Sequence, residues 1–479
     1  MSFRDSLYSE AATTELKDQT FSSHQGDISV SGESNQYIIT YCTFTEINYG
    51  GGSGGAFKAN VSNRGKLLIA NSKFIKCYGP EINGGAIYLD IANEGQVIIS
   101  NSTFNQCQAY RGGGIYADIF IGGKLTIDRQ CNFTDCYAID SEGCGGGIFS
   151  YISSYNSQLI IEDEAKFQRC YSTKGGGVYA FIQTESQMLI SDSQFIECLG
   201  YYGGAIYFFM QQSEQVTILN SLFVRCEANI GGGGIYAQIL SSGKFTIDGQ
   251  CNFDECQADT GGGIYALISG MNSECSQTSY SGGGIFSNIS YGVLNVENTT
   301  FKMCTCVQSG NGGGLAMIQG VSSIISITNS SFIDCKTISN SSDQRYGWGG
   351  AIFIQTSVIA ENLNETNFLL RNLVFIGCSA VNSIGNNIHI QSFDTYSTGE
   401  AIKNENLLTV KDITDLYENK LYGSDYMGID ESDVDDDNTP ISKHEPLFNI
   451  PQSRIFLNPY LVNANDGIEN VFCGESDMP

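Results

Sequence analysis

Proline is nearly missing from this chain: 6 residues in 479, against 56 glycines. Collagen needs both residues, and disordered glycine-rich linkers do not carry 41% hydrophobic residues, so glycine here serves a packed fold. Basic residues are scarce as well, 24 Lys and Arg against 51 Asp and Glu, for a formal net charge of −27. The resulting negative field repels phosphate backbones, so nucleic acid and anionic membrane surfaces are poor partners, while cations, cationic surfaces and neutral sugars remain. Only three histidines (His24, His389, His444) are present, and the 17 cysteines include no C-x-x-C pair; Cys304 and Cys306 are the closest two. A zinc site is therefore not expected, and no cofactor is implied. Nor does any stretch approach the roughly eighteen apolar residues of a membrane span, and residues 1–36 lack an apolar signal core. No membrane insertion is expected within this chain. It reads either as cytosolic or as part of a longer polypeptide whose signal and anchor lie elsewhere.

What the sequence does have is repetition. The stretch 232–256, GGGIYAQILSSGKFTIDGQCNFDEC, recurs almost word for word at 112–136, and weaker copies fill most of 37–390. Glycine openings stand at Gly54, Gly84, Gly112, Gly145, Gly175, Gly203, Gly232, Gly261, Gly282, Gly312 and Gly349, usually 28 to 30 residues apart. Each leads into Ile, Val, Leu or Phe and then, in nine of the eleven, Tyr or Phe. Middle segments such as KLLI, QVII, KLTI and QMLI follow, with apolar positions two apart, which is strand periodicity. A closing F-x-x-C recurs ten times, at Phe74/Cys77, Phe104/Cys107, Phe133/Cys136, Phe167/Cys170, Phe195/Cys198, Phe223/Cys226, Phe253/Cys256, Phe301/Cys304, Phe332/Cys335 and Phe375/Cys378.

Three short strands in about 29 residues cannot bury an apolar face alone, but stacking equivalent strands of successive units as parallel ladders does. The expectation is an all-β fold, a right-handed parallel β-helix of about eleven or twelve coils with three short strands each, on the order of 55 to 60 Å long. Glycines suit corners that need positive φ or close backbone approach. Leucine-rich, helical and propeller repeats fit neither the motif nor the period. The expected organisation is a polar leader or N-terminal cap at 1–36, the β-helix at 37–390, an acidic cap and linker at 391–450, and at 451–479 the possible start of a second, truncated β-helix domain. Between Gly261 and Gly282 one coil is expected to have lost its middle strand, with Cys275 in the closing place. The segment from Cys335 to Gly349 swells into a loop carrying the only tryptophan, Trp348, a natural place for specificity.

The alternation of GG(A/G)(I/V)(Y/F) with F-x-x-C resembles the repeats of chlamydial polymorphic outer-membrane proteins, whose hallmarks are GGA(I/L/V/Y) and F-x-x-N. It also looks like large protist repeat proteins of the same pectin-lyase-like fold. The resemblance covers about 37–390 and implies a surface-exposed passenger linked to adhesion. It departs systematically, with Cys where the bacterial repeats carry Asn, so that a column of thiols would replace an asparagine ladder. The final stretch, with Cys473, Gly474 and Pro479, looks like the opening of another such domain, and no transporter barrel is present.

Several residues are candidates for chemistry. Closing cysteines about 4.8 Å apart at Cα lie within disulfide range but with poor torsions; packing, disulfides and redox chemistry all remain open. Cys131 with Cys136 and Cys251 with Cys256 are candidates for local pairing. Tyr88, Tyr116, Tyr179, Tyr207, Tyr236 and Tyr265, with Phe149, Phe286 and Phe353, follow the inward aliphatic residue and so face the other way, either as a binding face for sugars or a protein surface or as a ladder stacked on itself. Asp433, Asp435 and Asp437 imitate the start of a calcium loop, but Asn438 and His444 stand where Gly and Glu are needed, which leaves weak cation attraction at most. Eight N-x-S/T tripeptides, at Asn60, Asn101, Asn132, Asn288, Asn298, Asn329, Asn340 and Asn364, lean toward an extracellular or surface protein. No catalytic residue is identified. The expectation is a non-enzymatic surface or extracellular binding rod, with a protein or carbohydrate ligand taken through its lateral face and loops. The alternatives are a polysaccharide lyase or hydrolase, against which the scatter of Asp128, Glu162, Asp192 and Asp248 counts, and a cytosolic scaffold.

Overall fold

A computed structural model describes residues 12–138, 142–240, 243–258, 260–269, 282–307, 310–338, 347–434 and 439–448. The chain winds into a parallel β-solenoid of about nine regular turns, with abbreviated turns at either end and one in the middle. Corresponding residues of successive turns pair in register: Ile87, Tyr88 and Leu89 lie opposite Ile115, Tyr116 and Ala117, and Val97 and Ile99 opposite Leu125 and Ile127. Alternate residues of each strand point inward, so one side chain per turn stacks on its equivalent in the next. The phenylalanines show it best. Phe104 stacks on Phe74 at 4.7 Å between centroids, on Phe133 at 4.6 Å, and Phe133 on Phe167 at 4.7 Å, all fully buried and within a few degrees of parallel.

The glycine pair fixes one corner for two separate reasons. Gly112 adopts φ +65°, where a Cβ would lie 2.2 Å from its own strand's Ile115 carbonyl oxygen. Gly113 has no unusual φ, yet a Cβ there would lie 2.4 Å from the carbonyl oxygens of Gly146 and Tyr137 in the adjoining turn. The first glycine makes the bend, and the second lets neighbouring turns approach.

The ladder is longer than the repeat motif. Thr13–Lys17, Thr20–Phe21 and Asp27–Ser31 pair in parallel with Gln36–Thr40, Thr43–Thr45 and Phe57–Ser62, so residues placed in a leader form the first turn. At the other end Leu408–Val410 and Tyr426–Asp430 continue the columns beyond Ile390, around the α-helix Thr395–Asn404. In six consecutive turns the stretch after the closing cysteine forms a fourth short strand, a separate sheet from Tyr78–Asn83 to Glu227–Gly231, where three strands per turn were expected. Among the described residues the abbreviated turn supplies only a first strand, Ile264–Ser269. Lys244–Asp248 therefore pairs directly with Ile285–Glu297, and Phe253 and Phe301 part to 6.4 Å. Residues 270–281, with Cys275, lie outside the described residues, as does 451–479. No helix among the described residues is long and apolar enough to cross a membrane.

Candidate functional site

Three polar columns hold the turn after the second strand and the corner after the third. Most closing thiols are directed at the phenylalanine carbonyl of the preceding turn: Cys107 Sγ to Phe74 O at 3.5 Å, and Cys136 to Phe104, Cys170 to Phe133, Cys198 to Phe167 and Cys226 to Phe195, all at 3.4 Å. S–H is a weak donor, so this contact orients the thiol more than it stabilises it. Burial pushes the Cys170, Cys198 and Cys226 thiols well up, making them inert as nucleophiles. All described cysteines are free.

Before the phenylalanine runs a second column, mostly serine. Ser72 donates to Ala70 O at 2.9 Å and accepts from the Cys42 backbone N–H at 3.2 Å; Ser102 donates to Ser100 O at 2.8 Å and accepts from Ser72 N–H at 3.1 Å. Cys131 and Cys251 occupy this column, with their sulfurs directed at Ile99 O and Ile218 O. This is the physical reason that neither proposed local disulfide is formed. Cys131 and Cys136 lie on opposite sides of Phe133 and address carbonyls of different strands, and Cys251 and Cys256 flank Phe253 in the same way.

Just ahead of the serines runs an asparagine ladder in the left-handed region. Asn101 (φ 43°) donates from Nδ2 to Asn71 Oδ1 at 2.6 Å, and Asn372 (φ 56°) donates to Asn329 Oδ1 at 2.7 Å. The closing position carries the expected column of thiols, and this asparagine ladder occupies a different corner. The tripeptides at Asn101, Asn298 and Asn329 follow from this geometry: a left-handed Asn, a buried hydroxyl, then an outward strand residue. Their recurrence follows the geometry of the corner. Asn340 lies outside the described residues.

The outward face of the first strands carries the aromatic row. Tyr88–Tyr116, Tyr179–Tyr207, Tyr207–Tyr236 and Tyr236–Tyr265 stack at 4.6 to 5.1 Å, with Phe149 continuing the row between Tyr116 and Tyr179. The rings are largely covered rather than displayed. Tyr116 and Tyr207 are buried and Tyr88, Tyr179, Tyr236 and Tyr265 half-buried. Arg111 lies 5.6 Å above Phe149, Lys174 lies 5.8 Å above Tyr207, and Tyr202 meets Tyr236 edge-on at 5.2 Å. Tyr88 donates to Asp118 Oδ2 at 2.6 Å, and burial pushes both this phenol and the Asp118 carboxyl up.

A second outward row, two residues further along the same strands, is half-buried throughout. Tyr151, Phe181 and Phe209, none of them buried, stack at 5.3 and 5.1 Å, and Phe120 leans on Tyr151 at 5.6 Å. Polar groups border it: Tyr151 donates to Gln183 Oε1 at 2.7 Å, Gln183 hydrogen-bonds Gln211, and Asp90 and Asp118 occupy the same column below. Sequence reading missed this row because it followed the glycine motif. The signal lay in strand alternation within IFSYI, VYAFI and IYFFM. Elsewhere an open groove of about 540 Å³ is lined by Ala70, Asn71, Ser100, Asn101, Arg129, Gln130, Asp163 and Glu164, where corners one residue longer than their neighbours stand beside the asparagine ladder.

One other expectation is corrected. Trp348 is not displayed on a loop but is 3% exposed, packed on Phe353, His389 and His444. His444 is no calcium-loop residue, since it is buried against His389; Asp433 pairs with Lys443 at 2.7 Å, and Asp435, Asp437 and Asn438 lie outside the described residues. Among the described residues no three metal-ligating side chains converge. No family model, curated protein or solved structure matches this chain.

Proposed function

We propose that this chain is a non-enzymatic binding rod, acting at a cell surface or outside the cell, that takes an extended ligand along the outward face of its first strands. What supports this is the half-buried outward row Tyr151, Phe181 and Phe209, three rings repeating at the turn spacing and bordered by Gln183, Gln211 and Asp118. Rings that stack a sugar's apolar face beside amides and a carboxylate that accept its hydroxyls are a chemistry suited to a neutral glycan. The six tyrosines of the inner row contribute by holding the strands that display it. The resemblance to surface-exposed repeat passengers points the same way, and it extends to the fold alone.

The test replaces Tyr151, Phe181 and Phe209 together with serine and measures retention on a panel of immobilised neutral polysaccharides. With each ring contributing about 1 kcal/mol, the triple variant, checked as folded at the assay temperature, should lose on the order of 100-fold in affinity. Unchanged retention would sink the proposal.

A second reading rests on a specific observation. Asp90 and Asp118 lie opposite one another in adjacent turns, beside Tyr88 and Tyr116, with Lys58 5.2 Å from the Tyr88 ring. Adjacent carboxylates with a neighbouring amine suit polysaccharide cleavage. Turnover of polygalacturonate, with or without calcium, that Asp118→Asn abolishes would favour the enzyme.

A further inference from the structure

The inner aromatic row ends on a histidine. His389 stands in register with Phe353, fully buried, and its Nε2 lies 2.9 Å from Nδ1 of His444. Trp348 closes on both rings, at 5.2 Å from His389 and 4.7 Å from His444. The remaining nitrogen of each, His389 Nδ1 and His444 Nε2, is buried without a hydrogen-bond partner. His389 belongs to the ladder strand Ile388–Ser392. His444 belongs to residues 439–448, a strap across the end of the solenoid. Its residues Glu445 and Pro446 pair antiparallel with Gly428 and Met427, whereas every other described strand pairing is parallel, and Leu447 and Phe448 then bury themselves against the cap.

With both rings neutral, one nitrogen donates the shared proton and the other accepts it. Protonating either ring makes both facing nitrogens donors, or places a charge in a pocket walled by Trp348, Phe353, Ile384, Ile429 and Met427. The charged groups on the surrounding elements are engaged elsewhere or exposed. Asp433 and Lys443 pair with each other, Asp430 accepts from the Thr395 backbone N–H at 2.7 Å, Glu445 has contacts of its own, and Glu431 is exposed; Asp435, Asp436 and Asp437 lie outside the described residues.

We propose that His389 and His444 form an acid-opened latch: neutral, they hold the strap closed over the last rung, and protonated, they release residues 439–448 and uncover the edge of strand Tyr426–Asp430. Burial pushes His444 down to about 4 and pushes His389 down as well, the neighbouring ring adding to the effect. Bases held below their ordinary value of about 6.5 favour the closed form above that pH, and this preference is lost as pH falls from about 6.5 toward 4. Within that window each unit multiplies the open-to-closed ratio about tenfold per ring. An uncovered strand edge is a template for pairing with another chain.

Trp348 is the only tryptophan, so its emission in the full chain reports the pocket directly. Lowering pH from 7.5 to 4.5 should give a reversible red shift, together with faster amide exchange in 439–448 than in 87–120 after correction for intrinsic rates. A His389→Phe, His444→Leu double variant should keep its emission constant over the same range. Wild-type emission that does not move, a double variant that shifts at the same midpoint, or a shift without faster exchange in the strap would each overturn the latch. Should the double variant fail to fold, the wild-type exchange measurement decides alone.

Discussion

Phe133→Ala tests the stacked column at its centre. The ring is fully buried, with Phe104 at 4.6 Å on one side and Phe167 at 4.7 Å on the other. Truncating a buried phenylalanine costs about 3–5 kcal/mol, and each of the two stacked pairs adds about 0.5–1.5, so a loss of about 4–8 kcal/mol is expected if the neighbours cannot close the gap. They cannot close it easily, because their spacing is set by backbone pairing in Asn132–Thr134 and its neighbours, not by the rings. Since each turn contacts only the turns beside it, the loss falls on two interfaces and should split the rod into units that open separately. Phe375 is the control: half-buried, with one stacked neighbour, Phe332, at 5.4 Å, so that Phe375→Ala should cost only about 1–2 kcal/mol. Denaturant unfolding gives the totals, and hydrogen exchange resolved by segment shows whether 87–128 and 178–224 separate. Equal losses for the two variants, or a Phe133→Ala cost below about 2 kcal/mol, would refute the picture of side chains coupled turn to turn.

The remaining predictions concern corners and thiols. Gly113→Ala should destabilise by more than about 3 kcal/mol or prevent folding, since its Cβ meets backbone of the adjoining turn, while Gly122→Ala, whose Cβ meets only the flexible Glu94 side chain at 3.3 Å, should cost about 1 kcal/mol despite its φ of +73°; thermal melts compare them. Cys131→Ser should change stability by less than about 1 kcal/mol because serine fills the same column elsewhere, whereas Cys136→Ser, placing a hydroxyl among thiols, should cost about 1–3 kcal/mol in the same melts. Burial pushes Cys131 up to about 12 and Cys251 up to about 11, and raises Cys170, Cys198 and Cys226 well above the ordinary value. Groups whose folded pKa lies above the unfolded value of about 8.5 stabilise fully below it and lose that contribution as pH rises, by up to about 1.4 kcal/mol per thiol per unit. Steep unfolding between about pH 9 and 11 is therefore expected, shifting upward when several closing cysteines become alanine; circular dichroism through that range would show a flat profile if the thiols were not buried.

Much of the fold was legible because the solenoid writes its geometry into every turn. Gly112 and Gly113, Phe133 and Cys136 recur at one spacing since each occupies one place in a repeating backbone, and parallel register converts sequence period into spatial column. Two features escaped for the same reason in reverse. Thr13–Lys17 and Leu408–Val410 belong to the ladder by backbone pairing alone, which needs no motif, so the chain's ends looked like leader and linker. The pairing of Cys131 with Cys136 was attractive on sequence distance, but a residue either side of Phe133 belongs to a different column, and the sulfurs never address the same carbonyl.

The amino-acid pattern by itself determined a parallel stack of short strands, its glycine corners and its inward phenylalanines, because these depend on local backbone freedom and on apolar residues at strand spacing. Only tertiary structure decided what the outward residues do. Tyr116 is buried while Phe181 is only half-buried, although both face outward from the same set of strands. That His389 and His444, 55 positions apart, share a proton beside Trp348 depends on the strap returning across the end of the rod. Burial outside the repeat is a property of the assembled surface, and no period encodes it.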